Sequence, residues 1–295
     1  MSGYIYGLFW TNATENFDFV YTDMNQEKST IINTINIDKI KLDEIYNVEL
    51  NNIQIDNIND NFCKLPFESL YINKCKINSL KNLNLNKSCK KITIIDSQIS
   101  DYDILSEMNL EYIKIQSSNI KFDVICNCIK LREITYKNNQ LVDIPNLSNL
   151  KFIKVLSLSN NKIKNIDNLK YLIDLHTLDL SYNEIENIKV LEDLKKLKYI
   201  YLNNNYIENI NDLEYLNNIL HCNISSNNIK DINVILNFKN LENLNIKNNK
   251  ITSLPNLLEL KKIDFNNLQV DWNDITQING MRGFMLIKNI IKSLK

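Results

Sequence analysis

Residues 178–185 read Leu-Asp-Leu-Ser-Tyr-Asn-Glu-Ile, and this frame returns every 22 residues through the middle of the chain. Its form is apolar-x-apolar-x-x-Asn-x-apolar. The polar position is held in turn by Asn161, Asn183, Asn205, Asn227 and Asn249. A fixed period of this length with one constant polar position indicates a solenoid, in which each repeat is one turn of the chain.

Two apolar periods follow one another within each repeat. The Leu-x-Leu stretch predicts a short strand, because alternate residues of a strand face opposite sides. The next apolar residues recur at every third position, as in Ile185, Ile188, Leu191, Leu194 and Leu197. A period of three matches a 3₁₀ turn better than an α-helix of 3.6 residues per turn. We therefore expect a parallel inner sheet whose strands are joined by extended or 3₁₀-like outer segments.

The repeated Asn is predicted to point inward among Leu and Ile. A buried amide there needs hydrogen-bond partners for both its oxygen and its NH2 group, and stacked repeats supply backbone groups from neighbouring turns. We expect a ladder formed by Asn139, Asn161, Asn183, Asn205, Asn227 and Asn249. Smaller side chains take the same position nearer the N-terminus, at Ser118, Ser97 and Cys75, so the ladder should be weaker there.

Residues 34–270 are assigned to about eleven repeats, of which the early ones, from Ile35 and from Val48, are degenerate. The last frame is interpreted as ending at Val270, with Leu268 in the Asn position. Solenoids need caps over their open apolar ends, so the flanking segments are interpreted as caps.

The N-terminal cap is residues 1–33, where Tyr4–Trp10 and Phe17–Tyr21 are predicted to form a β-hairpin. The C-terminal cap is residues 271–295, with an amphipathic helix expected over Gln277–Lys295. The alternative is that a cap is an exposed docking element. The aromatic N-terminal hairpin is the better candidate for that role.

Composition narrows the classes of function. The net charge is −1, with 34 Lys+Arg against 35 Asp+Glu, which argues against direct nucleic-acid binding. The four glycines lie near the chain ends, so a Gly-rich phosphate loop is not expected. No apolar run is long enough for a membrane span, and the N-terminus lacks the basic segment of a signal peptide.

The six cysteines form no CxxC pair and are interpreted as inert thiols, of which Cys75 and Cys222 occupy core positions. Free buried thiols suit a reducing compartment, so we expect a cytoplasmic and/or nuclear protein. No metal and no cofactor are expected.

The consensus LxxLxLxxNxIxxIxxLxxLxx resembles the leucine-rich repeat of the 22-residue class. The resemblance is strong across Ile134 to Ile263 and continues in weaker form from Val48. It implies an α/β solenoid, a leucine-rich-repeat horseshoe. Similar repeats occur in the leucine-rich regulatory subunit of protein phosphatase 1, in bacterial internalins and in a spliceosomal protein. Internalins carry a signal peptide and usually an immunoglobulin-like region, neither of which is evident, so the phosphatase regulator is the favoured relative.

The outward positions of the strands are predicted to form a concave binding surface. Aligning the frames places Asp179, Tyr201 and Asn223 side by side. Clustered tyrosines with a few polar groups are typical of protein-binding hot spots, although cross-strand aromatic pairs also stabilise sheets. The candidate protein-binding residues are Asp179, Tyr182, Tyr199, Tyr201, His221, Asn223 and Trp272. The opposite end, around Tyr112, Lys114, Glu133 and Lys137, is more charged and less distinctive.

Two function classes remain. The leading hypothesis is a non-catalytic intracellular scaffold that binds a protein partner, with a phosphatase catalytic subunit as the partner implied by the resemblance. The alternative is a structural subunit docked through its caps and edges in a large assembly, such as a ribonucleoprotein or protease complex. An enzyme and a small-molecule substrate are not expected, because His221 aligns with neither a Cys nor a second His.

Overall fold

The computed structural model describes residues 18–21, 30–33, 47–52, 54–58, 63, 65–265, 268–271 and 273–279. The chain divides into two compact units, residues 1–139 and residues 140–295. Short parallel strands alternate with 3₁₀ segments in both units, as the two apolar periods predict.

Ten strands are described in the first unit. They are β1 (Asp18–Tyr21), β2 (Thr30–Asn33), β3 (Asn47–Asn51), β4 (Gln54–Asn57), β5 (Ser69–Asn73), β6 (Lys76–Ser79), β7 (Lys91–Ile95), β8 (Gln98–Asp101), β9 (Tyr112–Gln116) and β10 (Glu133–Lys137). Strands β3, β5, β7, β9 and β10 form the main parallel sheet, and β4, β6 and β8 form a second parallel sheet. The connections include 3₁₀ helices at Leu83–Leu85 and Asp103–Glu107 and one α-helical turn, α1, at Phe122–Ile125.

The second unit is more regular. Its main parallel strands are β11 (Val155–Ser157), β12 (Thr177–Asp179), β13 (Tyr199–Tyr201), β14 (His221–Asn223) and β15 (Asn243–Asn245). The outer segments contain 3₁₀ helices at Asp167–Tyr171, Lys189–Asp193, Asn211–Leu213, Asn233–Asn237 and Leu257–Glu259. Two further short strands, β16 (Ser253–Leu254) and β17 (Gln277–Ile278), pair in parallel.

The apolar stripe of each repeat forms the core. Ile185, Leu191 and Leu197 are fully buried, as are the corresponding residues of the neighbouring repeats. Complete burial of such a side chain stabilises the fold by ~1.5–3 kcal/mol. All six cysteines are also buried thiols that form no disulfide bond with one another. Burial raises the pKa of the Cys222 thiol to about 12, so this thiol stays protonated and packs as a small apolar group.

The Asn residues form the predicted ladder. The Asn205 amide donates to the carbonyls of Leu180 and Leu202, both at 3.0 Å, and its oxygen accepts the Ile185 N–H at 3.0 Å. The Leu180 carbonyl is shared between two ladder residues, because it also accepts from Asn183. One amide side chain per repeat therefore satisfies backbone groups that the strands leave unpaired.

In the first unit, smaller side chains continue the ladder, but they accept from a different backbone amide. The Ser97 hydroxyl accepts the Cys75 N–H at 3.0 Å, and the Ser118 hydroxyl accepts the Ser97 N–H at 3.2 Å. Each of these serines accepts from the backbone amide of the ladder residue in the preceding repeat. In the second unit, the Asn oxygen accepts instead from the backbone amide two residues after that ladder residue, as Asn205 does from Ile185. The Asn139 oxygen follows the shorter pattern and accepts the Ser118 N–H at 2.9 Å.

The residue directly before each ladder position has a left-handed backbone. Across ten repeats its φ lies between 48° and 58°, a region that costs most L-amino acids energy but that Asn tolerates. Five of these residues are Asn: Asn52, Asn138, Asn160, Asn204 and Asn248. The Asn-Asn doublets of the sequence therefore have two separate causes, a left-handed turn and a buried amide.

The ladder extends one repeat further than the sequence frame indicates. Asn273 accepts the Ile251 N–H at 3.1 Å and donates to Ile246 and Val270 at 2.9 Å. The interpretation of Leu268 as the last ladder residue is therefore corrected. Leu268 is instead a buried residue at the start of a complete frame that ends at residue 275, and the next residue, Gln269, forms a parallel bridge with Asn245.

The caps are described only in part. Strand β1 pairs with β2 in antiparallel fashion, whereas its predicted partner, Tyr4–Trp10, lies outside the described residues, as does the frame predicted at Ile35. Residues 277 and 278, where the C-terminal helix is predicted to begin, form strand β17 against β16. Residues 280–295 lie outside the described part of the chain.

Candidate protein-binding surface

Two rows of side chains cross the exposed face of the second unit's sheet. The register places Thr177 beside Tyr199 and Tyr199 beside His221, with Asn243 next. It places the second row in the order Ser157, Asp179, Tyr201, Asn223 and Asn245. The side chains aligned from the sequence are therefore lateral neighbours, because the 22-residue period keeps every strand in the same phase.

Asp179 is held in a fixed orientation by hydroxyl groups. Ser157 donates to one carboxylate oxygen at 2.8 Å, and the Ser181 hydroxyl and amide donate to the other at 2.6 Å and 3.1 Å. Partial burial, with the nearby Asp179 carboxylate and the Tyr199 phenol, raises the pKa of Tyr201 above its ordinary value. Tyr201 thus presents a neutral phenol that can donate a hydrogen bond to a ligand.

His221 lies in a polar cluster on the same face. Its ring makes an edge contact with Tyr199, with a centroid separation of 4.9 Å and an interplanar angle of 61°. Asn243 lies 3.1 Å from Nε2, and the Glu242 carboxylate lies 3.8 Å from the same atom. Within the described ranges, no group of three or more His, Cys, Asp or Glu side chains is arranged to hold a metal ion. The cluster fixes the histidine as one hydrogen-bonding group of the surface.

Tyr182 lies beyond the end of β12 and just before Asn183 in the ladder. It occupies the left-handed position, with φ of 56°, and its side chain is 54% exposed. Asn occupies this position in five other repeats, so Tyr182 combines an unfavourable backbone with an exposed aromatic ring.

Of the two remaining predicted residues, the structure describes one. Asn223 accepts hydrogen bonds from the Ser225 hydroxyl at 2.7 Å and from the Ser225 amide at 3.2 Å. Trp272 lies outside the described residues. Nearby, Lys247 and Asp271 form an ion pair at 2.6 Å.

A groove in the first unit was not predicted from the sequence. It has a volume of about 460 Å3 and runs across the exposed face of β3, β5, β7, β9 and β10. Tyr71, Lys91, Tyr112 and Lys114 line it, with Glu49 and Glu133 on its outer strands. The sequence frame already groups Tyr112, Lys114 and Glu133 on the sheet face. The groove itself depends on the register of five strands, which no single repeat reveals.

A family model for two copies of the leucine-rich repeat matches residues 173–215. An internalin, inlF, from Listeria monocytogenes superposes with a TM-score of 0.65 at 21% identity, over 80% of this chain and 81% of the internalin. The chain has the leucine-rich-repeat fold. A leucine-rich-repeat protein of Leptospira interrogans superposes with a TM-score of 0.58 at 17% identity, over 85% of this chain and 89% of its own.

The leucine-rich-repeat fold also occurs in the ectodomain of the plant receptor kinase GASSHO1/SCHENGEN3 from Arabidopsis thaliana. That ectodomain superposes with a TM-score of 0.60 at 19% identity, over 80% of this chain and 30% of its own. It was solved in complex with CASPARIAN STRIP INTEGRITY FACTOR 2. None of the curated protein sequences matches this leucine-rich-repeat chain. In the part of the chain that the structure describes, no helix is long and apolar enough to cross a membrane.

Proposed function

We propose that this leucine-rich-repeat protein is a non-catalytic scaffold that binds a protein partner with the exposed sheet face of its second unit. The observation that carries the proposal is Tyr182. At this left-handed position a tyrosine costs backbone energy that Asn would largely avoid, and its ring is 54% exposed. A tyrosine that contacts a partner gives a reason for both features.

The neighbouring face has the composition of a binding hot spot. Tyr199 and Tyr201 are half-buried at alternate positions of β13, and the polar groups around them are already hydrogen-bonded. Aromatic anchors surrounded by fixed polar groups lose little side-chain entropy when a partner binds. The complex of the Arabidopsis receptor ectodomain, which has the same fold, supports a binding role.

The specific partner proposed is a phosphatase catalytic subunit of the protein phosphatase 1 type, and the proposed location is the cytoplasm, the nucleus or both. Six buried thiols that form no disulfide bond with one another support a reducing compartment. The choice of phosphatase rests only on the 22-residue repeat class, which the leucine-rich regulatory subunit shares.

Calorimetric titration of the protein with purified phosphatase-1 catalytic subunit tests this proposal. We expect Tyr201→Ala and Tyr199→Ala each to weaken binding by more than about 1 kcal/mol without lowering the melting temperature. Tyr215→Ala is the matched control, because Tyr215 is 56% exposed and lies beside Lys195 on an outer segment. No binding by the unmodified protein would exclude the phosphatase. Equal affinity of all three variants would exclude the sheet face.

The second candidate function is a subunit of a large assembly, such as a ribonucleoprotein or protease complex. The antiparallel pair β1–β2, which precedes the parallel repeats of the first unit, supports docking through the N-terminal segment. Deleting residues 1–23 separates the two functions. Loss of co-sedimentation with the assembly, while the repeats keep their circular dichroism, favours docking through this segment.

A further inference from the structure

Two lysines of the first unit's groove form no ion pair with the residues that the structure describes. Lys91 on β7 and Lys114 on β9 belong to adjacent strands of the main sheet. No carboxylate of the described residues lies within salt-bridge distance of either ammonium group. Lys91 is exposed and Lys114 is half-buried. An ammonium group that has no ion-pair partner is available to bind a carboxylate.

The acidic groups near the groove are engaged elsewhere or lie at its edges. Glu111 pairs with Lys90 at 3.7 Å and with Arg132 at 3.4 Å. Glu49 and Glu133 line the groove on β3 and β10, the first and last strands that form it. The two lysines therefore lie on the adjacent strands β7 and β9, with Glu133 on the neighbouring strand β10 and Glu49 two strands away from β7 on β3.

The neighbouring side chains suit a peptide. Tyr112 follows Lys91 in the register and Tyr71 lies beside Thr93, so each lysine has an aromatic ring or hydroxyl group near it. The Tyr112 side chain is 39% exposed. Tyrosines that flank positive charges favour a peptide chain, because the rings pack on its apolar atoms while the ammonium groups bind its anions.

We propose that the first unit binds an acidic segment of a partner protein in this groove, with Asp or Glu carboxylates on Lys91 and Lys114. The segment crosses the strands, so that its acidic residues lie over β7 and β9. Charge complementarity selects carboxylate side chains as the occupant. The inference gives the proposed scaffold a second binding surface. This surface lies in the first unit, whereas the surface of the proposed function lies in the second.

Fluorescence anisotropy with the labelled peptide Gly-Ser-Glu-Glu-Glu-Ser-Gly tests this inference. We expect saturable binding that Lys91→Ala/Lys114→Ala weakens by about tenfold or more. The Arg variants at both positions should retain binding. Lys81→Ala/Lys130→Ala removes two exposed lysines outside the groove and should leave the affinity unchanged. Glu133→Gln should tighten binding by about twofold or more, because it removes a repelling charge.

Three outcomes would overturn the inference. The first is no binding by the unmodified protein, and the second is equal binding of a peptide in which Lys replaces each Glu. The third is about tenfold tighter binding of the corresponding phosphoserine peptide, which would assign the groove to phosphate instead of carboxylate. Peptide binding and phosphatase binding are measured separately, so failure of one leaves the other result in place.

Discussion

Replacing Asn205 by Ala tests the ladder at its most buried asparagine. Only 5% of Asn205 is exposed. The Ile185 N–H has the Asn205 oxygen as its acceptor at 3.0 Å, and Ile185 is fully buried, so the variant leaves this donor without a partner. An orphaned buried donor costs about 1–3 kcal/mol.

The two carbonyl oxygens that accept from Asn205 are less affected, because each also accepts a hydrogen bond from a neighbouring Asn of the ladder. Leu180 keeps the amide of Asn183, and Leu202 keeps the amide of Asn227. Each lost bond then costs only about 0.5–1 kcal/mol. We therefore expect Asn205→Ala to lower the free energy of unfolding by roughly 3 kcal/mol.

Asn161→Ala is the matched control. Asn161 is half-buried, and its oxygen accepts from the amide of Leu141, which is also half-buried. Water can replace the lost amide there, so we expect a cost of about 1 kcal/mol or less. Urea unfolding followed by circular dichroism measures both variants.

Hydrogen exchange locates the effect. The Ile185 amide should exchange at least about tenfold faster in Asn205→Ala. The Ile207 amide, which binds Asn227 at 3.0 Å, should keep its protection. Equal costs for the two alanine variants, or unchanged protection of Ile185, would refute the argument that the Asn side chains satisfy buried backbone groups.

Two further predictions concern single tyrosines. Tyr182→Asn should raise the free energy of unfolding by about 1 kcal/mol, because Asn tolerates the left-handed backbone, and it should weaken partner binding. An unchanged urea midpoint would contradict the strain. Burial raises the pKa of Tyr136 from 10.0 to about 12, and its hydroxyl donates to the Ile120 carbonyl at 2.7 Å. The folded state holds this proton more tightly, so stability should fall as pH rises from 10 to 12. Tyr136→Phe should lose less stability over that interval, and an equal loss in both proteins would contradict this role.

The sequence predicts the regular part of the fold because its two periods are physically distinct. Alternation at Leu178 and Leu180 requires a strand, and the third-residue spacing after Ile185 requires a 3₁₀ or extended segment. Lateral contacts follow directly, since a constant period keeps Asp179, Tyr201 and Asn223 in register. The predicted fold class is confirmed, and so is the prediction that these three residues are lateral neighbours.

The irregular parts of the fold were not predictable by the same argument. Ile77 and Leu80 satisfy the third-residue spacing, yet residues 76–79 form β6 in a second sheet. A strand and a 3₁₀ segment place these two apolar groups inward equally well, so periodicity does not distinguish them. The last ladder residue was predicted wrongly for a different reason. Asn273 lies 24 residues after Asn249 instead of 22, and Leu268 happens to fit the Asn position of a shortened frame.

The two sheet faces differ in how their polar groups are satisfied. In the second unit, Asp179 binds Ser157 and Ser181, so its charge is already solvated by the protein. In the first unit, Lys91 and Lys114 have no such partners among the described residues. A partner on the first kind of surface should be held mainly by aromatic packing, so salt should have little effect on its affinity. A ligand on the second kind should be attracted by opposite charge, so its affinity should fall as ionic strength rises. The two proposed surfaces are therefore distinguished by the salt dependence of binding to each.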